Sequence, residues 1–200
     1  IASGDIKVDT NYVYGATGPN QGKGFAGKIY YYLLGQGYSY NGAIKGGSSR
    51  IRFNGSSFTV DKGFERHPVT YVSWYGATAF CKVYGYRLPT EWEWQAVADF
   101  DGSFVYGCGP KMNNSIVNCY NSEHPHGTTV VGSVGDPTGY GYGLCDLSGN
   151  VWEWTSSVYY EGFYSIRGGG WDTNISTGVT YRNYAPKDFT SMSIGFRVCR

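Results

Sequence analysis

Five cysteines and three histidines are the side chains best suited to nucleophilic, redox or metal chemistry in this 200-residue sequence. Cys81, Cys108, Cys119, Cys145 and Cys199 include no Cys-x-x-Cys pair, the spacing that gathers thiolates around zinc, so a zinc site is not indicated. Cys108 and Cys119 flank a short loop. They can join as a disulfide in an oxidising compartment, or the thiols can stay free and pack as small apolar groups. His124-Pro125-His126 has metal-binding side chains but reads better as a solvated loop, and His67 stands apart from both. No glycine-rich phosphate loop with a following lysine is present, and no nucleophile has a base at a convincing spacing. Glu91 and Glu93 have a plainer role as helix-capping residues.

These groups must be positioned by short elements. Residues 1–66 read as loops and hairpins, with Gly15, Gly18, Gly22, Gly24 and Gly27 punctuating a loop and Ile29–Leu34 forming a buried strand. Ile51-Arg52-Phe53 and Phe58-Thr59-Val60 face each other across Asn54-Gly55-Ser56-Ser57, a hairpin signal because Asn-Gly tolerates positive φ. Ser73 caps a helix running to Tyr84, with Gly85 as its stop. Thr90-Glu91-Trp92-Glu93 is a capping box that opens a second helix ending near Asp99 to Gly102. The glycine-rich stretch 102–149 has too little periodicity for regular elements, but its aromatics and cysteines indicate order. Val151–Thr155 alternates as a strand with Trp152 and Trp154 on one face and Glu153 on the other, and Ser193–Val198 is the last strand.

The totals bound the answer. Two hundred residues with 41% hydrophobic content fit one domain. A net charge of +1 carries no basic footprint for nucleic acid. No apolar run approaches the roughly 18 residues that cross a bilayer, so membrane insertion by this chain is not expected. Ile1 leaves localisation unread from this end. The 20 tyrosines and 31 glycines match the mixture found in binding loops, where tyrosine gives rigid contact at low entropic cost.

Three blocks then carry a resemblance. His67–Tyr75 with Gly85–Trp94, Gly143–Trp154, and Arg167–Trp171 with Gly195–Arg197 occur in this order over residues 58–200. Together they resemble the formylglycine-generating-enzyme (sulfatase-modifying factor) family. The resemblance implies an α+β fold of the C-type-lectin type, with two main helices, short strands and much irregular chain. Residues 1–57 then form a hairpin and loop region ahead of the family-matching core. The family's enzymes oxidise a substrate cysteine with two cysteines that hold copper. On this chain those two positions are Thr173 and Gly178, neither of them a soft thiolate, and Cys199 lies beyond the last block. No copper and no enzymatic activity are therefore expected.

A non-enzymatic branch of the same fold fits better: the variable proteins of diversity-generating retroelements, which include phage tropism determinants. Their C-terminal segment is rewritten at adenines, and here it corresponds to residues 171–193. Substituting the first two adenines of an asparagine codon reaches Asp172, Thr173, Asn174, Ser176, Thr177, Tyr181, Asn183, Tyr184, Asp188, Phe189, Thr190, Ser191 and Ser193, but not Trp171. The resemblance thus implies a ligand-binding or adhesion protein at a virion or cell surface, with a protein or surface ligand as partner. Tyr181, Tyr184 and Phe189 serve as its aromatic anchors. A copper oxidase and a sugar-binding lectin are the alternatives, the latter disfavoured because neither Glu-Pro-Asn nor Gln-Pro-Asp occurs.

The resemblance also implies a structural calcium. Asp146 and Glu153 would supply carboxylates, and Leu147, Gly149 and Val151 carbonyls, toward the six to eight oxygens calcium takes. The competing reading gives Glu153 an arginine partner, Arg167 or Arg197, because a buried carboxylate needs a cation. A second family calcium site is incomplete: Asn118 matches, but residues 121–128 lack the required aspartate.

Overall fold

The computed structural model describes residues 5–16, 23–33, 49–124, 126–174 and 177–200. Gly18, Gly22, Leu34, Pro125 and Ser176, singled out above, lie outside them. The elements run β1 (Ile6–Val8), β2 (Tyr12–Gly15), a 3-10 turn (Lys23–Phe25), β3 (Ile29–Tyr32), β4 (Ile51–Phe53), β5 (Phe58–Val60), α1 (Trp74–Tyr84), α2 (Glu91–Ala98), β6 (Trp152–Tyr160), β7 (Phe163–Arg167), β8 (Asn183–Pro186) and β9 (Ile194–Phe196). The class is α+β, with two helices and short strands joined by long irregular stretches, as expected.

β1-β2-β3 and β4-β5 form antiparallel sheets, the second of them the expected Asn-Gly hairpin with Ile51 opposite Val60. The larger sheet has the order β8-β7-β6-β9, antiparallel except where β9 runs parallel to β6. β9 is shorter than the expected 193–198 strand because it pairs only with Trp152, Glu153 and Trp154.

Both helices begin as their sequences dictate. The Ser73 hydroxyl accepts from Gly76 N at 3.1 Å, and Gly85 ends α1 in the left-handed region at φ 71°. Thr90 and Glu93 close a full capping box on α2. α1 lies directly on β3: Ser73 N donates to Tyr30 O at 3.0 Å, and a Cβ on Gly76 would stand 2.3 Å from that carbonyl.

The core has two parts with β6 between them. Tyr30, Tyr71, Trp152, Trp154, Trp171, Ile166 and Met192 belong to the larger one, and Trp154 donates its indole N–H to Val72 O at 3.0 Å. Trp94, Ala98, Leu147 and Val179 form the smaller one beneath α2. Glu153 points to this side and is as buried as the two tryptophans flanking it. The alternation of β6 therefore separates two interiors rather than an interior from water.

Candidate functional site

Segment 171–193 is pinned at its ends and intermittently along its length. Trp171 N donates to Asn150 O at 3.0 Å, and its indole donates to Met192 O at 3.2 Å, so the two ends of the segment meet. Val179 N bonds Val105 O, and Asn183–Pro186 pairs with β7 as β8. Trp171, Val179, Ala185 and Met192 are buried. Between these anchors the chain turns outward. Asn174, Tyr181, Tyr184, Asp188 and Phe189 are exposed, whereas Asp172, Thr173, Asn183, Thr190 and Ser191 are half-buried.

Two of the expected face residues point inward. Thr177 is fully buried and its carbonyl accepts from the Ser148 hydroxyl. Ser193 is buried because its carbonyl accepts from Trp152 N at 2.7 Å where β9 joins β6. Neither can meet a ligand in this arrangement. Thr173 is largely committed as well: its hydroxyl accepts from Trp152 Nε1 at 3.0 Å and from Gly170 N at 3.1 Å. Burial raises the Asp172 carboxyl above the usual aspartate range, although Ser193 and Thr173 donate to it.

The structure adds residues that sequence reasoning missed. Tyr159 and Tyr160 of β6 and Phe163 of β7 pack with Tyr184 of β8, with ring centroids 4.6 Å (Tyr159–Tyr184), 4.9 Å (Tyr160–Tyr184) and 5.6 Å (Phe163–Tyr184) apart. Tyr159, Tyr160 and Tyr184 are each more than a third exposed, so these rings form an aromatic surface rather than core. Arg182 lies over Tyr159 at 4.8 Å and over exposed Trp92 at 5.4 Å. Its guanidinium makes paired 2.6 Å bonds to both oxygens of buried Glu91. The only sequence signal for this surface is the run Val158-Tyr159-Tyr160 next to the Glu161-Gly162 turn. Nothing local places it beside residue 184.

Two of the expected calcium ligands, Glu153 and Asp146, have other partners. Both Glu153 oxygens are bonded to Arg197, at 2.5 and 2.6 Å, and one also accepts from Trp94 Nε1 at 2.7 Å. Arg197 further donates to Cys145 O at 3.1 Å, and Asp146 accepts from Gly132 N at 2.9 Å and Asn150 Nδ2 at 3.4 Å. Among the described residues no group of three or more His, Cys, Asp or Glu side chains converges. Of the expected donor set, Asp146 and Glu153 with Leu147, Gly149 and Val151, Glu153 here holds a guanidinium as its cation. Arg167, the other candidate partner, bonds Gln95 at 2.6 Å and Val179 O at 2.7 Å, with Glu91 at 3.4 Å. The Asn118 amide donates to Gly127 O at 2.9 Å, and the His124 ring is paired with Ser115 O at 3.1 Å. All five cysteines are free thiols.

Residues 27–200 match the sulfatase-modifying factor enzyme 1-like domain. The chain is 37% identical over 150 residues to the inactive Cα-formylglycine-generating enzyme 2 of Bos taurus, covering 65% of this chain and 49% of that protein. It is 36% identical over 128 residues to the serine/threonine-protein kinase pkn1 of Chlamydia pneumoniae, covering 64% of this chain and 20% of that one. The chain thus spans about a fifth to a half of the length of these relatives. In three dimensions it is similar to the Treponema denticola variable protein 1, with a TM-score of 0.60 at 20% identity over 76% of this chain and 77% of that chain. The likeness extends to fold and leaves the chemistry to the residues themselves.

Proposed function

We propose that this chain, which belongs to the sulfatase-modifying factor enzyme 1-like family, is a non-catalytic ligand-binding protein whose binding face is its C-terminal segment. The partner is a protein or another surface-borne ligand. The face consists of Asn174, Tyr181, Asn183, Tyr184, Asp188, Phe189, Thr190 and Ser191, widened by Tyr159, Tyr160 and Phe163. One observation carries the reading: along 171–193, buried frame residues alternate with exposed polar and aromatic ones, so one backbone can present different side chains without repacking. Exposed tyrosines suit that task, since a rigid ring with a polar tip gives large contact area at little entropic cost. The kinship to an inactive formylglycine-generating enzyme supports the absence of oxidase chemistry. So do Thr173 and Gly178 at the positions where the family's copper-holding cysteines are expected. We further read the segment as one diversified in the manner of retroelement variable proteins, in line with the likeness to a variable protein.

A library varying Asn174, Tyr181, Tyr184, Asp188 and Phe189 together tests the face. Surface changes typically move stability by within about 0.5 kcal/mol, so most members should melt near the parent while their binding to displayed proteins and cell surfaces diverges. Trp171→Ala should cost about 3–5 kcal/mol, as loss of a buried indole does. Unfolding of most library members would sink the reading, because those side chains would then be packing. Incubation with Cu(I), oxygen and a cysteine-containing sulfatase peptide should produce no formylglycine; production above the metal-free control would favour the oxidase instead.

A further inference from the structure

On the side of α2 where Trp94 meets Glu153, the helix and the chain leaving β9 border a cavity of about 420 Å3. Its walls are Trp94, Val97, Leu144 and Val198, with Arg197 and Cys199 at the chain exit. The remaining lining residues are Pro89 and Glu93 at the start of α2. This volume falls in the range of small-molecule sites, roughly 300–1,000 Å3, and the lining has their composition of apolar walls with a few polar groups.

The charges in the lining are already balanced. Arg197 is paired with Glu153, and Glu93 receives two 2.7 Å bonds from Arg87. An anion would meet two carboxylates as well as two guanidiniums and gain little net attraction. A cation faces the same cancellation. Arg197 nevertheless keeps donor capacity. Its Nε and Nη2 are used by Glu153 and Cys145 O, while Nη1 has no protein partner among the described residues. A guanidinium offers five N–H donors in a fixed fork, so the Nη1 pair is available to an acceptor brought in by a ligand.

We propose that this cavity binds a small, uncharged, mainly apolar molecule that carries one hydrogen-bond acceptor, such as a carbonyl, directed at Arg197. The site is independent of segment 171–193. Its contents are also distinct from the expected calcium: the glutamate meant for the metal instead holds the arginine that faces the ligand.

Cys199 makes the proposal measurable. Cys199 lines the cavity and its thiol donates to Arg87 O at 3.6 Å beside it, whereas Cys145, also partly exposed, faces Asp136 O and Pro137 O and serves as an internal control. The probe is prodan, an uncharged naphthyl ketone whose emission shifts to the blue in apolar surroundings, compared with the anionic anilinonaphthalene sulfonate. Prodan should bind saturably. At about ten times its dissociation constant, only about a tenth of sites remain free, so Cys199 alkylation by iodoacetamide should slow about tenfold. The Cys145 rate should not change. Val97→Trp, which fills the cavity, should abolish both the shift and the protection. Should that variant unfold, protection of Cys199 in the parent decides alone. Equal Cys199 rates with and without prodan, or no saturable shift, would overturn the site. Tighter binding of the sulfonate would overturn the assignment of an uncharged ligand.

Discussion

Arg197 and Glu153 show how one side-chain choice redirects a site. Glu153 is buried, and a buried carboxylate without a cation is costly. Removing one partner of such a pair leaves the other charge uncompensated and costs about 3 kcal/mol or more. Glu153→Gln should therefore lower the melting temperature markedly, while chelator should leave the parent unchanged. Calcium stabilises by mass action only if it binds the native state, and there it would compete with Arg197, which bonds both Glu153 oxygens. A fall in melting temperature on chelation that calcium alone restores would show that the metal displaces Arg197. Arg182 works in the opposite sense on the other carboxylate. It lies inside the variable segment yet is tied to buried Glu91, so it behaves as frame although neighbouring Tyr181 and Asn183 belong to the face.

At the scale of elements, α1 and β3 meet backbone to backbone at Gly76. Alanine has a better intrinsic helix propensity than glycine by about 1 kcal/mol. That gain cannot be realised at position 76, because the new Cβ would fall 2.3 Å from Tyr30 O, a backbone atom that cannot swing away. Gly76→Ala should accordingly destabilise the protein by about 2 kcal/mol or more, through a shift of α1 off the sheet of the kind seen with overpacking. Equilibrium urea unfolding checks it; a variant as stable as the parent would mean that helix and strand separate freely. Gly85→Ala, strained only by its left-handed φ of 71°, should cost about 1–2 kcal/mol and leave the helix in place.

For the whole molecule, acid stability is set by carboxylates moved in opposite directions. The Arg87 guanidinium, aided by Thr90, holds the Glu93 carboxyl down to about 2. Its contribution is present above the unfolded-state value of about 4.5 and lost as pH falls toward 2. The pair is solvent-exposed, so screening keeps that contribution small. Burial raises Asp146 and Asp172, whose folded forms therefore bind protons at a higher pH than their unfolded forms. Their charged-state penalty is relieved as pH falls toward the ordinary aspartate value of about 3.8. Burial holds His67 below its ordinary value of about 6.5, which works against this gain as pH falls. The two aspartates are therefore read by difference: on acidification toward about pH 4, thermal melts of the parent should gain stability relative to Asp146→Asn with Asp172→Asn. Parallel melting curves for parent and variant across that range would contradict the burial of both groups.

Much of this architecture is legible locally. The two caps and the Asn-Gly hairpin act through neighbours a few residues away, so a short stretch of sequence carries them. The separation of Trp152 and Trp154 from Glu153 followed from the period of a strand, and the α+β class from the family resemblance of the three blocks. What only tertiary structure decided was pairing across long sequence separations. Glu153 had two candidate arginines, and the parallel docking of β9 on β6 delivered Arg197, while β7 carried Arg167 to Gln95 and Val179. Thr177 and Ser193 look like surface residues by type, but hydrogen bonds at 148 and 152 draw them inside. Tyr159 and Tyr160 join Tyr184 because β7 lies between β6 and β8 and brings both strand ends to one edge. A sequence specifies side-chain chemistry and local backbone preference. Which distant side chains share a surface depends on sheet order, and that is settled only when the chain closes on itself.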